Sequence, residues 1–389
     1  MILYLICFLC FIFFPVLSIF VSLFCYIIDK NRKGIFYSIL IGLTLGIISY
    51  YFIPPIDYDL FRHHLVVEEF NGLNFKNFFL IAKNIDLEFI PKIYSYFISI
   101  LGNNDLLQFF IVSLGYTILF YMLYDYRKQS CINNGLFIFI TIFIIFGFNA
   151  LYFISGLYCY IAMIIFSFGI YNEYIKCNNK IVSYILYILV LFIHNSLFFA
   201  FAIYLFYKLF KNKLNYKNIF ICLLCLFFLN YFVGFLNSII NLEIINKLNE
   251  TYNHYLIRND YMKKFYSGII FFIEISKLLM ILICIFLQKE KNKFSGVNGY
   301  IILLSICTIL MIPKSIVMIR FIMIIQFLGI IPIFDYFSKV NKNKILLLII
   351  IIFLDLIYIG FFYRSFRNEN FGGLLDKKLI ENVFSIFRK

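Results

Sequence analysis

Residues 2–28 read ILYLICFLCFIFFPVLSIFVSLFCYII, a predominantly apolar stretch with no charged side chain. About 20 such residues cross the hydrocarbon core of a bilayer as a helix. The stretch lacks the basic start of a secretory signal peptide, and its flanking charges come afterwards, at Lys30, Arg32 and Lys33. Because basic flanks stay in the cytoplasm, it predicts a retained span whose first residues lie outside.

The composition extends this interpretation to the whole chain. Of 389 residues, 63% are hydrophobic and 14% are charged, whereas a water-soluble domain is near half apolar and a quarter charged. Residues 267–287 and 345–363 are also about long enough to cross a bilayer. Since only helices and closed barrels satisfy backbone groups in lipid, the sequence predicts an all-α polytopic integral membrane protein and excludes a soluble one.

The distribution of charge predicts the topology. The net charge of +14 lies largely in short lysine-bearing loops, so we interpret it as a topology signal and expect no nucleic-acid partner. With residues 29–34 in the cytoplasm, the six inner loops carry 17 Lys and Arg against 4 acids, whereas residues 56–88 carry 3 basic and 6 acidic residues. About 12 spans follow, within a range of roughly 10–13. They are residues 2–28, 35–53, 106–124, 136–150, 152–171, two within 181–210, 218–240, 267–287, 300–312, 315–337 and 345–363.

The same assignment predicts one transmembrane domain over residues 1–389, with some helices broken or re-entrant. It has two large outer loops, 56–88 and 241–266, and an outer C-terminal tail, 364–389, whose basic charge fits poorly. Residues 89–101 are too few to cross at 1.5 Å per residue, so they predict an interfacial or re-entrant helix. Residues 181–210 are too many for one span and are predicted to break at His194-Asn195-Ser196.

The ten cysteines do not indicate a metal site or a disulfide. Cys7-x-x-Cys10 and Cys222-x-x-Cys225 lie in apolar segments without a nearby histidine or acid, where cysteine is a small buried hydrophobe. No cysteine falls in a predicted outer loop. We expect no disulfide, no metal and no cofactor, and the sequence lacks the patterns of nucleotide-binding loops, zinc proteases and serine hydrolases.

The first outer loop concentrates the ionisable groups of a chain that is poor in charge. It reads DYDLFRHHLVVEE from Asp57 to Glu69. Asp59, Arg62 and His63 have helical spacing and would share one face, on which a carboxylate or imidazole can act as a general base. Asp57-x-Asp59 also resembles the acidic pair of membrane glycosyltransferases, often used with a metal. The alternative is a charged loop that is merely solvated.

His194, Arg320 and Lys314 are candidates elsewhere in the chain. His194 lies at the predicted helix break, and irregular backbone at membrane depth is tolerated mainly around cavities. The alternative is a structural, hydrogen-bonded histidine. Arg320 and Lys314 would supply positive charge near the outer face, where the arginine fork suits phosphate.

Two further pairs remain. Tyr255 and Arg258 belong to the aromatic outer loop 241–266, which is suited to stacking on sugar rings and binding substrate, although an interfacial aromatic belt is the alternative. Glu274 and Lys277, three residues apart in an apolar segment, are predicted to pair with each other.

Several short elements, in order, resemble the EpsG/Wzy-type polysaccharide polymerases of bacterial surface glycan clusters. They cover roughly residues 55–330. They are Asp59-Leu-Phe-Arg-His-His, Leu87-Glu-Phe-Ile-Pro-Lys, Leu101-Gly-Asn-Asn-Asp-Leu-Leu, Ser155-Gly-Leu-Tyr-Cys-Tyr-Ile-Ala, Phe192-Ile-His-Asn-Ser-Leu and Met318-Ile-Arg-Phe. The family usually has arginine after Gly156-Leu157, where this chain has Tyr158; any role of that arginine would fall to Arg62 or Arg320.

The resemblance implies a polymerase of undecaprenyl-diphosphate-linked oligosaccharide repeat units in the bacterial cytoplasmic (inner) membrane, with its active site facing outside. Asp59, His63 or His194 would act as general base, and Arg62, Lys314 and Arg320 would offset charge on the departing diphosphate. Its partners would be the lipid-linked oligosaccharide, membrane lipid and, from the same pathway, a flippase and a chain-length regulator.

Two alternatives stay open. A glycan ligase, or a transferase that uses a polyprenyl-phosphate sugar, would need a similar outer site. A flippase for the same lipid-linked glycan would also be polytopic, but transporters commonly show internal repeats and polar groups at mid-span. This chain shows no repeat, and its ionisable residues are concentrated toward one predicted face.

Overall fold

The structure is a computed structural model. It describes residues 2–28, 34–56, 58–82, 89–130, 150–177, 180–210, 269–288, 296–310 and 315–338, with single positions in 134–141 and 353–357. Over these ranges the chain forms 14 α-helices and one π-helical turn, and no strand. The predicted all-α fold is confirmed.

Most of the described helices are shorter than the roughly 20 residues that cross a bilayer. The first nine are α1 (Ile2–Phe13), α2 (Ser18–Ile28), α3 (Gly34–Tyr50), α4 (Asp59–Glu69), α5 (Phe75–Ala82), α6 (Phe89–Leu101), α7 (Leu106–Ser130), α8 (Ala150–Ser155) and α9 (Leu157–Tyr171). After the π-helical turn Asn172–Lys176 come α10 (Lys180–Ile193), α11 (Leu197–Phe210), α12 (Ile269–Leu287), α13 (Gly296–Leu310) and α14 (Ser315–Ser338). The chain divides into two compact units. Unit one is Met1–Phe168 with Phe337–Lys389, and unit two is Gly169–Tyr336.

The first predicted span is broken at its middle, where sequence analysis placed one continuous segment. Pro15 lies between α1 and α2, and proline removes a backbone donor and clashes with the preceding turn. The Ser18 hydroxyl donates to the Pro15 carbonyl at 2.6 Å and lies 3.0 Å from the Thr44 hydroxyl of α3. The break is therefore held by hydrogen bonds within unit one.

Helices α3 and α7 pack with their backbones close together. A Cβ on Gly42 would lie 2.5 Å from the Ser113 carbonyl oxygen, and one on Gly46 would lie 2.7 Å from the Phe109 carbonyl oxygen. Glycines four residues apart allow this approach in membrane helix pairs. The pair carries the end of α3 and the start of α7 to the same end of unit one, where the Asn103 amide donates to the Tyr50 hydroxyl at 2.7 Å.

The predicted first outer loop contains two helices rather than loop alone. α4 and α5 lie in this segment and pack against α6. Phe78 of α5 stacks on Tyr96 of α6 with ring centroids 4.3 Å apart, and Phe70 meets Phe78 edge-on at 5.2 Å. This small apolar core holds the short helices together at one end of unit one.

The described helices agree with several predicted boundaries. α6 spans only 13 residues, as expected of an interfacial or re-entrant helix. The break predicted at His194 is confirmed, because α10 and α11 have 14 residues each and are separated by His194, Asn195 and Ser196. Within the described ranges, Leu106–Gln129 and Met318–Ser338 are long and apolar enough to cross a membrane, and seven shorter apolar helices accompany them.

Candidate functional site

Helix α4 carries most of the charged candidates. It begins at Asp59, and a carboxylate in the first turn of a helix is favourable because it lies near unsatisfied backbone N–H groups. Leu60 and Val67 are buried and anchor the helix. Asp59, Arg62, Glu68 and Glu69 are exposed, so these charged groups of α4 are available to a ligand.

Asp59 and Arg62 lie three residues apart on α4, and they form an ion pair. The Arg62 guanidinium donates a short hydrogen bond to the Asp59 carboxylate. Their side chains are 55% and 62% exposed. A pair this exposed adds about 0.2–1 kcal/mol at most, so both groups can exchange partners for a bound anion or hydroxyl at little cost.

His63 is half-buried against Tyr158, the first-turn tyrosine of α9. The two rings meet edge to face, with centroids 4.6 Å apart and planes at 83°. Tyr158 is only 5% exposed. Its hydroxyl donates to the Pro91 carbonyl at 3.3 Å and lies 3.0 Å from the Ser95 hydroxyl, which then acts as the donor to Tyr158.

Burial lowers the pKa of His63 to about 4, from an ordinary value of 6.5. Asp59 opposes this change by stabilising the imidazolium, whereas Arg62 and His64 reinforce it. A buried imidazole loses hydration when it is charged. His63 is therefore neutral at physiological pH and accepts a proton reluctantly.

His64, the next residue, has a different environment. Its Nε2 atom lies 2.8 Å from Oε1 of Gln108 in α7. Gln108 is completely buried and its Nε2 lies 3.4 Å from the Phe52 carbonyl oxygen and 3.5 Å from the Asp105 carboxylate. Sequence analysis included neither His64 nor Gln108 among the candidates. The available signal was the polar turn before α7, which was quoted only for its resemblance.

Four of the elements that carried the resemblance meet in unit one. In the first element, which begins at Asp59 and lies on α4, His63 contacts Tyr158 of the element that begins at Ser155. His64 of the same element contacts Gln108, the residue that follows the element Leu101–Leu107. Tyr158 in turn contacts Pro91 of the Leu87 element. These segments are separated by up to 95 residues in sequence, so their convergence is a property of the fold.

His194 lies in unit two, at the break between α10 and α11, and is half-buried. The Ser196 backbone N–H donates to His194 Nδ1 at 3.2 Å, and the Ser196 hydroxyl lies 2.9 Å from the same atom. Because Nδ1 accepts from the backbone, the neutral ring carries its proton on Nε2. The break thus fixes the tautomer of His194.

Arg320 and the Glu274–Lys277 pair also lie in unit two. Arg320 is half-buried, six residues into α14. Lys277 Nζ lies 3.7 Å from Glu274 Oε1, both side chains are buried, and Gln326 of α14 donates a short hydrogen bond to Glu274. The predicted pairing of Glu274 with Lys277 is confirmed.

A second buried carboxylate was missed by sequence analysis. Glu173, in the π-helical turn, accepts hydrogen bonds from Lys208 at 2.8 Å, from Tyr187 at 3.0 Å and from Tyr204. Burial raises the pKa of Glu173, but these donors outweigh burial and lower it overall. Glu173 lies in a segment predicted to face the cytoplasm, where this network ties α9, α10 and α11 together.

The remaining candidates lie outside the described residues. These are Asp57, Tyr255, Arg258 and Lys314, together with loop 241–266 and tail 364–389. In the part of the chain that the structure describes, no group of three or more His, Cys, Asp or Glu side chains could hold a metal ion.

Comparison with known proteins gives one match. A family model described as the EpsG family matches residues 67–372, a range that includes Tyr158, His194 and Arg320 and begins just after the Asp59–His64 segment. No curated protein and no solved structure matches the chain.

Proposed function

The chain belongs to the EpsG family and so has a role in polysaccharide biosynthesis, and we propose that it is a membrane polymerase of surface glycans. Its reaction would join undecaprenyl-diphosphate-linked oligosaccharide repeat units. Such an enzyme is a glycosyltransferase whose two substrates are both anchored in lipid.

The proposed location is the outer face of the bacterial cytoplasmic membrane. The lysine distribution supports about 12 spans, forming one transmembrane domain with loops 56–88 and 241–266 and tail 364–389 outside. The acid-rich first loop supports the same orientation. A flippase would deliver the lipid-linked unit to this face, and a chain-length regulator would act on the product.

One observation carries the proposal: three other elements of the resemblance, dispersed in sequence, meet around α4. Their convergence brings the Asp59–Arg62 pair and two imidazoles to one end of unit one, beside the buried Tyr158. A carboxylate, a guanidinium and imidazoles are the groups that glycosyl transfer from a diphosphate requires. Within the described ranges of unit one, this is where they occur together.

In the proposed reaction, the non-reducing-end hydroxyl of one unit attacks the anomeric carbon of the chain on the other lipid. The bond from that carbon to the diphosphate oxygen breaks, and undecaprenyl diphosphate leaves with the electron pair. Asp59 or His63 would take the hydroxyl proton. Arg62 would offset negative charge on the diphosphate, since its planar fork donates two hydrogen bonds at once.

Roles in the reaction are also proposed for residues outside α4. His194, with its tautomer set by Ser196, is the other candidate base. Arg320 and Lys314 would bind diphosphate, and Arg258 and Tyr255 would bind the sugar or its phosphate. Each of these roles is proposed from the chemistry of the side chain and its predicted position.

Gel analysis of the surface glycan tests the proposal. Deletion of the gene should reduce a long ladder to single-repeat product, and wild-type complementation should restore it. An unchanged ladder would exclude a polymerase. Loss of even the single-repeat form would indicate ligation or flipping instead.

Variants on α4 sharpen this test. Asp59→Asn and Arg62→Ala should fail to restore the ladder at wild-type protein levels. Glu69→Gln is the matched control, because it removes an exposed carboxylate from the same helix and should restore the ladder fully. If all three variants complement equally, Asp59 and Arg62 have no catalytic role.

A further inference from the structure

We infer that His64 is the catalytic base of the α4 site, with Gln108 and Asp105 as positioning residues. This inference depends on the proposed function for its reaction, but its structural basis is separate. It adds a residue that neither the spacing on α4 nor the family resemblance had selected, and it distinguishes between two adjacent histidines.

The orientation of the Gln108 amide is fixed by its surroundings. Its nitrogen faces the Phe52 carbonyl oxygen at 3.4 Å and the Asp105 carboxylate at 3.5 Å. Both of these groups only accept hydrogen bonds, so the amide nitrogen must lie on their side and Oε1 must lie toward His64. Gln108 is completely buried, and no bulk water is available to satisfy the reversed orientation.

This orientation determines the tautomer of His64. Oε1 of Gln108 can only accept, and it lies 2.8 Å from His64 Nε2. Nε2 must therefore carry a proton, and the neutral ring holds its lone pair on Nδ1. A carbonyl group behind one nitrogen is a common way to orient a histidine whose other nitrogen reacts.

The neighbouring histidine is less suited to the task. His63 is packed against the Tyr158 ring, and burial lowers its pKa to about 4. A general base works best when its pKa lies near the working pH. His63 would be neutral but weakly basic, whereas His64 has one ring nitrogen held by the Gln108 carbonyl oxygen.

The proton balance is simple. The acceptor hydroxyl forms its bond to the anomeric carbon while its proton moves to His64 Nδ1. The diphosphate leaves with the electrons of the broken C–O bond. The resulting imidazolium keeps its Nε2–H bond to Gln108 and later releases the Nδ1 proton to water. No oxidant or metal enters this step.

Titratable groups near His64 also affect how the polymerisation rate depends on pH. The helices α6 and α8 pack against α4, and α7 and α9 contact it through Gln108 and Tyr158. Besides His64, the titratable groups on α4, on α6, in the turn before α7 and in the first turn of α9 are Asp59, Arg62, His63, Glu68, Glu69, Lys92, Tyr94, Tyr96, Asp105, Tyr158, Cys159 and Tyr160.

Ring ¹⁵N NMR tests the tautomer without reference to activity. The chain has only four histidines, so the full-length protein labelled on histidine in nanodiscs gives few signals, and His64→Asn identifies those of His64. We expect a single Nε2–H tautomer for His64, which becomes mixed in Gln108→Met. A proton on Nδ1, or no change in Gln108→Met, would overturn the proposed positioning.

Polymerisation assays test the catalytic role. His64→Ala should slow the reaction about 10²–10⁴-fold, as expected for loss of a general base. Gln108→Glu places a carboxylate against Nε2–H, which stabilises the imidazolium and should move the acid limb of the rate profile to higher pH. Asn104→Asp is the matched control, because this substitution adds the same negative charge four residues before Gln108. The Asn104 side chain contacts Glu68.

The outcomes separate this inference from the proposed function. If deletion of the gene shortens the glycan but His64→Ala polymerises normally, the inference is wrong and the function stands. If Asn104→Asp shifts the rate profile as much as Gln108→Glu, the effect is one of general charge and Gln108 has no positioning role. If the tautomer is as expected but deletion leaves the ladder unchanged, the function is wrong.

Discussion

Tyr158 meets His63 edge to face across 95 residues of sequence, with ring centroids 4.6 Å apart. The tyrosine occupies the position at which the resemblance led us to expect arginine. Its hydroxyl is engaged by Pro91 and Ser95, so the side chain faces His63 with an uncharged ring. The Tyr158 ring therefore excludes water from one side of the His63 imidazole without placing a positive charge beside it.

The Tyr158 ring should control the protonation of His63. Tyr158→Ala admits water, so the pKa of His63 should rise from about 4 toward 6.5, as measured by histidine NMR titration. Tyr158→Phe keeps the ring and should leave this pKa low, while the loss of the two hydroxyl contacts costs about 0.5–1.5 kcal/mol of stability. Tyr94→Phe, which removes a hydroxyl bonded to Leu107, is the control for a bond lost elsewhere. A low pKa in Tyr158→Ala would contradict this prediction.

The buried His63 should also make stability depend on pH. Between pH 6.5 and about 4 the unfolded histidine is protonated and the folded one is not, so the unfolded state binds more protons and stability falls as pH falls. Relative to His63→Gln, the wild type should lose about 1–3 kcal/mol over this window. Chemical unfolding in detergent at several pH values measures the difference. If the free energy of unfolding depends on pH in the same way in both proteins, His63 is not the group that causes the pH dependence.

Close packing of α3 on α7 predicts a sharp size limit at Gly46. Its Cβ would lie 1.9 Å from the Ser113 hydroxyl oxygen and 2.7 Å from a backbone carbonyl oxygen, so Gly46→Ala should cost about 1–3 kcal/mol or more through overpacking. Thermal unfolding in detergent provides the measurement. Ile39→Ala, at an exposed position of the same helix, should change little, and equal losses in both variants would argue against the close approach.

His194 and Arg320 predict defects in polymer length. His194→Ala and Arg320→Ala should shorten the glycan at wild-type protein levels, and Arg320→Lys should restore it only in part because it lacks the planar fork. Lys180→Ala, which removes an exposed cation of unit two, should have normal length. Normal ladders in all variants would remove both residues from the proposed site.

The sequence was sufficient to predict features that depend only on residues close to one another along the chain. Apolar length and lysine position indicated a helical membrane protein, and the bounds of α6 and the break at His194 followed from segment length and a polar triplet. Spacing alone predicted the Glu274–Lys277 pair and a shared helix face for Asp59 and Arg62, because side chains three apart on a helix are neighbours.

Contacts between distant segments could not be predicted in this way. Gln108 lies in an apolar helix, and nothing local shows that its amide reaches His64 from 44 residues away. Glu173 likewise resembled a solvated residue of an inner loop until the fold brought Tyr187 and Tyr204 to it. The break at Pro15 is different, since the rule for proline within a helix was sufficient to predict it.

The close approach of α3 and α7 also restricts how unit one can move. Helices whose backbones touch at Gly42 and Gly46 cannot slide past each other without first separating, because packed interfaces do not deform continuously. Within unit one, any opening that admits or releases the proposed lipid-linked substrate would therefore leave this pair intact and would involve its other helices.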